Sequence, residues 1–138
     1  MKNFTSKNQK IGKLGEDIAC LYLERKGFSI EERNYTKKWG EIDIIAKKDN
    51  KIYFVEVKSV STNFTCNNNE DMDSRVKETF RPEENLHYSK LKRLSRTIET
   101  YLIHKRVGNT PWQFDALIVF LCPLEKKARV RRIENIVL

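Results

Sequence analysis

The sequence predicts an α/β domain with a mixed central β-sheet flanked by helices, in the order α-β-β-β-α-β-β. Three observations predict it. Two long segments, residues 6–26 and 82–106, carry apolar residues at helical spacing. Five shorter segments are rich in β-branched and aromatic residues and are bounded by turn formers. One of these is apolar on both faces, with Tyr53, Val55 and Val57 opposite Ile52 and Phe54. That pattern suits a central strand covered on both sides, so helices should pack on the sheet.

The first helix is expected over residues 6–26, with Ile11, Leu14, Ile18, Leu21 and Tyr22 as its apolar stripe. Gly27 follows as a C-terminal stop. A first strand is expected over residues 28–34, then a turn at Lys37-Lys38-Trp39-Gly40. The second and third strands follow, joined by a hairpin turn at Asp49-Asn50. Residues 59–81 are polar and irregular, with Asn67-Asn68-Asn69 in the middle, and read as a long loop. The second helix is expected to begin at Pro82, a favoured first-turn residue, and to run to about Arg106, where Gly108-Asn109 ends it. Its stripe is Leu91, Leu94, Ile98, Tyr101 and Leu102, with Lys92, Arg93 and Arg96 on the other side. Two strands close the chain, at residues 113–121 and 128–133.

The 138 residues fit a single domain, residues 1–138, with a real core. The longest apolar run, residues 116–122, is too short to span a bilayer, and the N-terminus lacks the apolar core of a secretory signal. Cys20, Cys66 and Cys122 show neither a disulfide framework nor zinc-site spacing. The expected address is the cytoplasm, with no membrane partner. The formal charge is +8. Residues 86–106 carry six Lys/Arg against one Glu, whereas residues 70–84 carry six Asp/Glu against three Lys/Arg. A basic body favours a polyanion partner, most simply nucleic acid. A protein that is merely basic explains the charge equally well.

The candidate site lies on the central hairpin. Side chains alternate along a strand, so Glu56 and Lys58 share a face about 7 Å apart, from a rise of roughly 3.3 Å per residue. Asp43 lies on the neighbouring strand, where cross-strand pairing can bring it near Glu56. Two carboxylates and an ammonium at the end of an apolar hairpin are what metal-assisted phosphodiester hydrolysis needs. Carboxylate oxygens suit Mg²⁺ or Mn²⁺. The bland reading is a Glu56–Lys58 salt bridge, which leaves Asp43 without a role. Glu16, at the edge of the first helix's stripe, reads either as a third acid or as an ordinary exposed helix residue. Glu41 reads as a supporting acid or as exposed at the strand start. Lys92, Arg93 and Arg96, with Lys90 offset from them, form a basic face that either tracks phosphates or is simply solvated. Arg33, Lys37 and Lys38 place further cations beside the site. Trp39 either stacks on a base or anchors its turn.

These residues resemble a known family. Gly15-Glu16-Asp17-Ile18-Ala19, Arg33-Asn34-Tyr35, Gly40-Glu41-Ile42-Asp43-Ile44-Ile45-Ala46 and Phe54-Val55-Glu56-Val57-Lys58 are similar to the signature of the YraN-like bacterial proteins. Phe64, Pro82, Glu84, Lys90, Arg93-Leu94, Tyr101-Leu102 and Phe114-Asp115 fit the later part of that pattern. That family has a predicted endonuclease fold of the restriction-endonuclease-like PD-(D/E)XK superfamily, similar to archaeal Holliday-junction resolvases. Two departures bear on DNA contacts rather than on the acids: Ser59-Val60-Ser61 stands where the family usually carries an Arg, and the stretch between Phe64 and Pro82 is long.

The resemblance implies a metal-dependent nuclease acting on DNA, at branched or recombination intermediates. Asp43 and Glu56 would hold Mg²⁺ or Mn²⁺ together with the Val57 carbonyl, Glu16 would be an accessory ligand, and Lys58 would orient water. A homodimer is implied in the same way. The competing readings are a non-catalytic nucleic-acid-binding protein that keeps the fold, and an interaction protein that docks a partner through residues 59–81.

Overall fold

The computed structural model describes residues 7–61 and 88–138. Helix α1 spans Lys7–Arg25, followed by β1 (Ser29–Lys37), β2 (Gly40–Lys48) and β3 (Lys51–Ser61). Helix α2 spans Tyr88–His104, and β4 (Trp112–Cys122) and β5 (Lys127–Ile133) complete the order. The five strands form one sheet in the order β1-β2-β3-β4-β5, with β3 central. Only β3–β4 is parallel; the other three pairs are antiparallel. This is the expected mixed α/β architecture, and it agrees with the restriction-endonuclease-like order. The expected start of the second helix at Pro82, most of the 59–81 loop, and the partner-docking role given to that loop lie outside the described residues.

Local chemistry sets the connections. Gly27 ends α1 with φ +92°, and the bonds from Gly27 N–H to Glu24 O and from Phe28 N–H to Leu23 O, both 3.0 Å, close a left-handed cap. Asp49 and Asn50 both have positive φ (51° and 60°), the conformation of a tight two-residue hairpin turn. Strand β1 runs three residues past its expected end at Asn34, to Lys37.

The sheet is covered on both faces. On one, Ala19 and Leu23 of α1 pack with Ile44, Val55, Leu117 and Val119. On the other, Ile98 and Tyr101 of α2 pack with Ile45, Phe54 and Phe114. The α2 stripe is the expected one. The α1 stripe is so only in part: Ile11, Ile18 and Tyr22 pack against the core, but Leu14 and Leu21 are 51 % and 53 % exposed, while Ala19 and Leu23 are at 0 % and 1 %. The reason is a close approach. A Cβ on Gly15 would collide with the Ser59 side chain, so α1 turns its smallest residues toward β3.

Strict alternation breaks at two levels of the sheet, one of them a register shift in β1 between Ile30 and Glu32. At the other, Ile42 and Ile45 pack in the same cluster under α2, which a regular strand would forbid. The opposing residue of β1, Asn34, has φ +53°, so both strands turn over together there. Asn tolerates this left-handed conformation better than most side chains.

Cys20 is a buried free thiol. Cys122 is disulfide-bonded, which the spacing of the cysteines did not announce. No described helix is long and apolar enough to cross a membrane.

Candidate active site

Asp43 sits where β2 and β3 part. Their ladder begins at Ile44↔Val55 and runs down to the hairpin turn. Above it β3 continues to Ser61, paired with β4 alone. The Asp43 side chain takes over from the missing backbone partner, its Oδ2 accepting the Val57 N–H at 2.8 Å. In a strand the amide and carbonyl of one residue face the same neighbour, so the Val57 carbonyl faces this fork as well.

The fork is acidic. Burial above all, and then the charges of Glu16, Glu56 and Glu41, push the Asp43 carboxyl from 3.8 up to about 6, against the opposing pull of the Val57 N–H. Glu16, on α1, turns one oxygen inward. Its Oε1 is buried with no hydrogen-bond donor. The nearest cation, Arg33 Nη2, is 3.6 Å away, beyond hydrogen-bond reach, and gives its 2.8 Å bond to Asp17 instead. Glu16 is thus half-buried beside the fork, and Arg33 is bonded to α1.

Two clefts meet at Asp43. The larger, about 480 Å³, holds Asp43, Glu41 and Glu56 within and has Lys37, Lys38, Lys90 and Arg93 on its walls. The smaller, about 290 Å³, is bordered by Glu16, Asp43, Val57 and Lys58. Glu56 and Lys58 thus share a strand yet open onto different clefts. Glu56 Oε1 is 3.4 Å from Lys90 Nζ. Among the described residues Lys58 has no ion-pair partner, so the bland Glu56–Lys58 salt bridge is absent.

The basic residues divide. Lys90, which the sequence set slightly apart from its neighbours, reaches the acids, and Arg93 lies beside it. Lys92 and Arg96 border a neighbouring groove that Arg93 shares. The Arg96 guanidinium lies 4.1 Å from the Trp39 ring centre, holding the turn aromatic against α2. Gly40 permits this contact: a Cβ there would meet Thr97 Oγ1 at 2.6 Å and the Arg93 carbonyl at 3.3 Å.

One buried cluster escaped the sequence reading. Asp115, 1 % exposed, accepts bonds from Gln113, from Arg132 (3.0 and 2.8 Å) and from the Asn135 N–H. An acid inside an apolar run was the available signal, because a buried charge needs a partner. Its bonds tie β5 and the following turn to β4.

The donor set suits a hard divalent cation. It offers carboxylate oxygens, a strand carbonyl, and one buried oxygen with no donor of its own. Among the described residues no three His, Cys, Asp or Glu side chains stand close enough together to form a finished metal site. The acids face one another across the fork instead of converging on one point.

Fold and site together define an α/β domain with a mixed five-stranded sheet and an acidic fork at its central hairpin. The profile of the Uncharacterised protein family UPF0102 matches residues 15–119. The chain is 36 % identical over 130 residues to a UPF0102 protein of Alkaliphilus oremlandii (strain OhILAs), covering 93 % of this chain and 97 % of that one. It is 38 % identical over 127 residues to one of Helicobacter hepaticus (92 % and 94 %). With one of Clostridioides difficile (strain 630) the identity is 39 % over 128 residues (93 % and 96 %). The chain belongs to the UPF0102 family, the YraN-like family of the sequence resemblance.

Proposed function

We propose that the protein is a metal-dependent nuclease that hydrolyses DNA phosphodiester bonds, with branched or recombination intermediates as its substrate class. One observation carries the reading: the Asp43 carboxyl is held at a strand fork among three other acids and pushed up to about 6. Keeping such a group costs stability, and groups perturbed in this way cluster at functional sites. The cationic walls of the adjoining cleft supply the complementary field for a phosphate.

Asp43, Glu56 and the Val57 carbonyl would hold Mg²⁺ or Mn²⁺, with Glu16 as the accessory ligand. A bound divalent ion polarises a phosphate and lowers the pKa of water. The Val57 N–H fixes the Asp43 carboxylate, leaving its second oxygen for the ion. Lys58, exposed at the open end of β3, would orient water and offset charge developing on the phosphate. Arg93, Lys37 and Lys38 would hold the flanking backbone.

A second reading has an observation of its own. Glu56 is already paired with Lys90, and no finished ligand cluster exists among the described residues. Both suit a protein that keeps the fold only to bind nucleic acid. Single-turnover cleavage of branched and linear DNA with Mg²⁺ or Mn²⁺, beside affinity measured in Ca²⁺, separates the two. Lys58→Ala should bind within a few-fold of wild type and cleave slower by about 10²–10³-fold. Wild-type protein that binds all substrates and cuts none would establish the binding role. A Lys58→Ala variant that cleaves at the wild-type rate would remove the lysine from the mechanism.

A further inference from the structure

The larger cleft beside Asp43 has more in it than the acids require. Its volume is about 480 Å³, within the range of small-ligand sites. Its lining mixes polar and apolar groups: the half-buried Leu94 and Trp39 supply apolar surface above the buried Ile42, Val55 and Phe114, and its walls carry cations. Trp39 stands on the rim. One face of its ring is covered by the Arg96 guanidinium at 4.1 Å, which fixes its position, and its Nε1 is buried without an acceptor. A fixed, half-buried aromatic beside Leu94 and surrounding cations match the parts of one nucleotide: base and phosphates.

We infer that this cleft receives one unstacked nucleotide of a single strand, so that the protein selects single-stranded segments over continuous duplex. The inference rests on the nuclease reading for its location and deepens it. A base inside a duplex cannot reach Trp39 and Leu94 in the cleft unless it leaves the stack, which costs a few kcal/mol, whereas a single strand supplies it at little cost. Aromatic stacking platforms of this kind hold single strands with little regard to sequence. The cations fit the same geometry. Lys37 ends β1 and Lys38 begins the turn after it, while Lys90 and Arg93 come from α2. Phosphates on either side of the inserted nucleotide would each meet a basic wall.

The test measures binding in EDTA, so it does not depend on a metal or on cleavage. The probes are a fluorescein-labelled twelve-residue oligothymidine, a duplex of equal length, and thymidine monophosphate as competitor. Wild type should bind the single strand at least tenfold more tightly than the duplex. Trp39→Ala should weaken single-strand affinity by about tenfold, the typical worth of one stacked base, and change duplex affinity less than twofold. Trp39→Phe should restore most of the loss. Quenching of Trp39 emission by the oligomer, read as wild type minus Trp39→Phe, gives the same information if the alanine variant fails to fold. Equal affinity for single strand and duplex would overturn the inference, as would an equal loss of both in Trp39→Ala or no Trp39 quenching. Monophosphate binding as tight as the oligomer's would replace the strand with a free nucleotide and overturn it too. A protein that cuts duplex without preferring single strands refutes this inference alone. One that prefers single strands and cuts nothing refutes only the nuclease reading.

Discussion

Replacing Asp43 by Asn should make the metal-free protein more stable, and the gain should depend on pH in a defined way. The Asp43 carboxyl titrates at about 6 in the folded protein against 3.8 in the open chain. The folded state therefore holds the proton more tightly, and stability falls as pH rises from about 4 to about 6. Above that window the full cost is present; below it there is none. A shift of about 2 units at 1.36 kcal/mol each sets a ceiling of about 3 kcal/mol. Asn is neutral throughout and nearly isosteric, and its Oδ1 can still accept the Val57 N–H. The assay is urea unfolding in EDTA at several pH values from 4 to 8. At pH 8 the variant's midpoint should lie about 1–1.5 M higher, for a slope of about 2 kcal/mol/M, and the gap should close near pH 4. Adding Mn²⁺ at pH 8 should stabilise the wild type and leave the variant unmoved, because a cation binds only where the carboxylate is charged. Midpoints that coincide from pH 4 to pH 8 would refute the reasoning, since Asp43 would then carry no cost from its burial or from its acidic neighbours.

Three further outcomes are expected. Asp43→Ala should abolish Mn²⁺ binding in calorimetry while keeping the fold, and unchanged affinity would remove Asp43 from the ligand set. Changing Lys92, Arg93 and Arg96 together to Ala should shallow the log–log salt dependence of single-strand binding by up to about 2, from about 0.7 per phosphate; an unaltered slope would turn α2 away from the nucleic acid. Arg132→Met should cost about 3–5 kcal/mol in chemical denaturation by leaving Asp115 buried and unpaired, and a loss below about 1 kcal/mol would show that Gln113 and the Asn135 N–H suffice.

Local chemistry was the legible part. The Asp49-Asn50 turn, the Gly27 cap and the doubly apolar β3 are each specified by residues within a few positions of one another, and each stands as read. The α2 stripe was equally legible because its large apolar residues fall on one side. The α1 stripe held for Ile11, Ile18 and Tyr22 and misled at Leu14 and Leu21, for a physical reason. Hydrophobic periodicity weights Leu14 and Leu21, but the close approach at Gly15 and Ser59 selects the face with Gly and Ala. At the site, the carboxylates could be named because charge inside an apolar hairpin is conspicuous. Their arrangement could not. The reversal of faces at Asn34 and Asp43 moves side chains by one strand register, and Glu56 meets Lys90 only through a contact spanning 34 residues. Nothing nearby in sequence announces either.

The parallel pairing of β3 with β4 has a consequence for how the molecule comes together. Asp43 and Val57 are 14 positions apart, inside one hairpin, so the fork can close as soon as its turn forms. The β3–β4 register instead joins Ile52 to Trp112, sixty positions later, and so carries a larger loop-closure entropy. The acidic fork thus belongs to the locally encoded half of the chain. The basic helix that faces it sits in the intervening segment and settles against it only with the long-range half. By this reckoning Asp43 and Glu56, with Lys37, Lys38 and Lys58 carried on the same strands and turn, come together before Lys90 and Arg93 reach them.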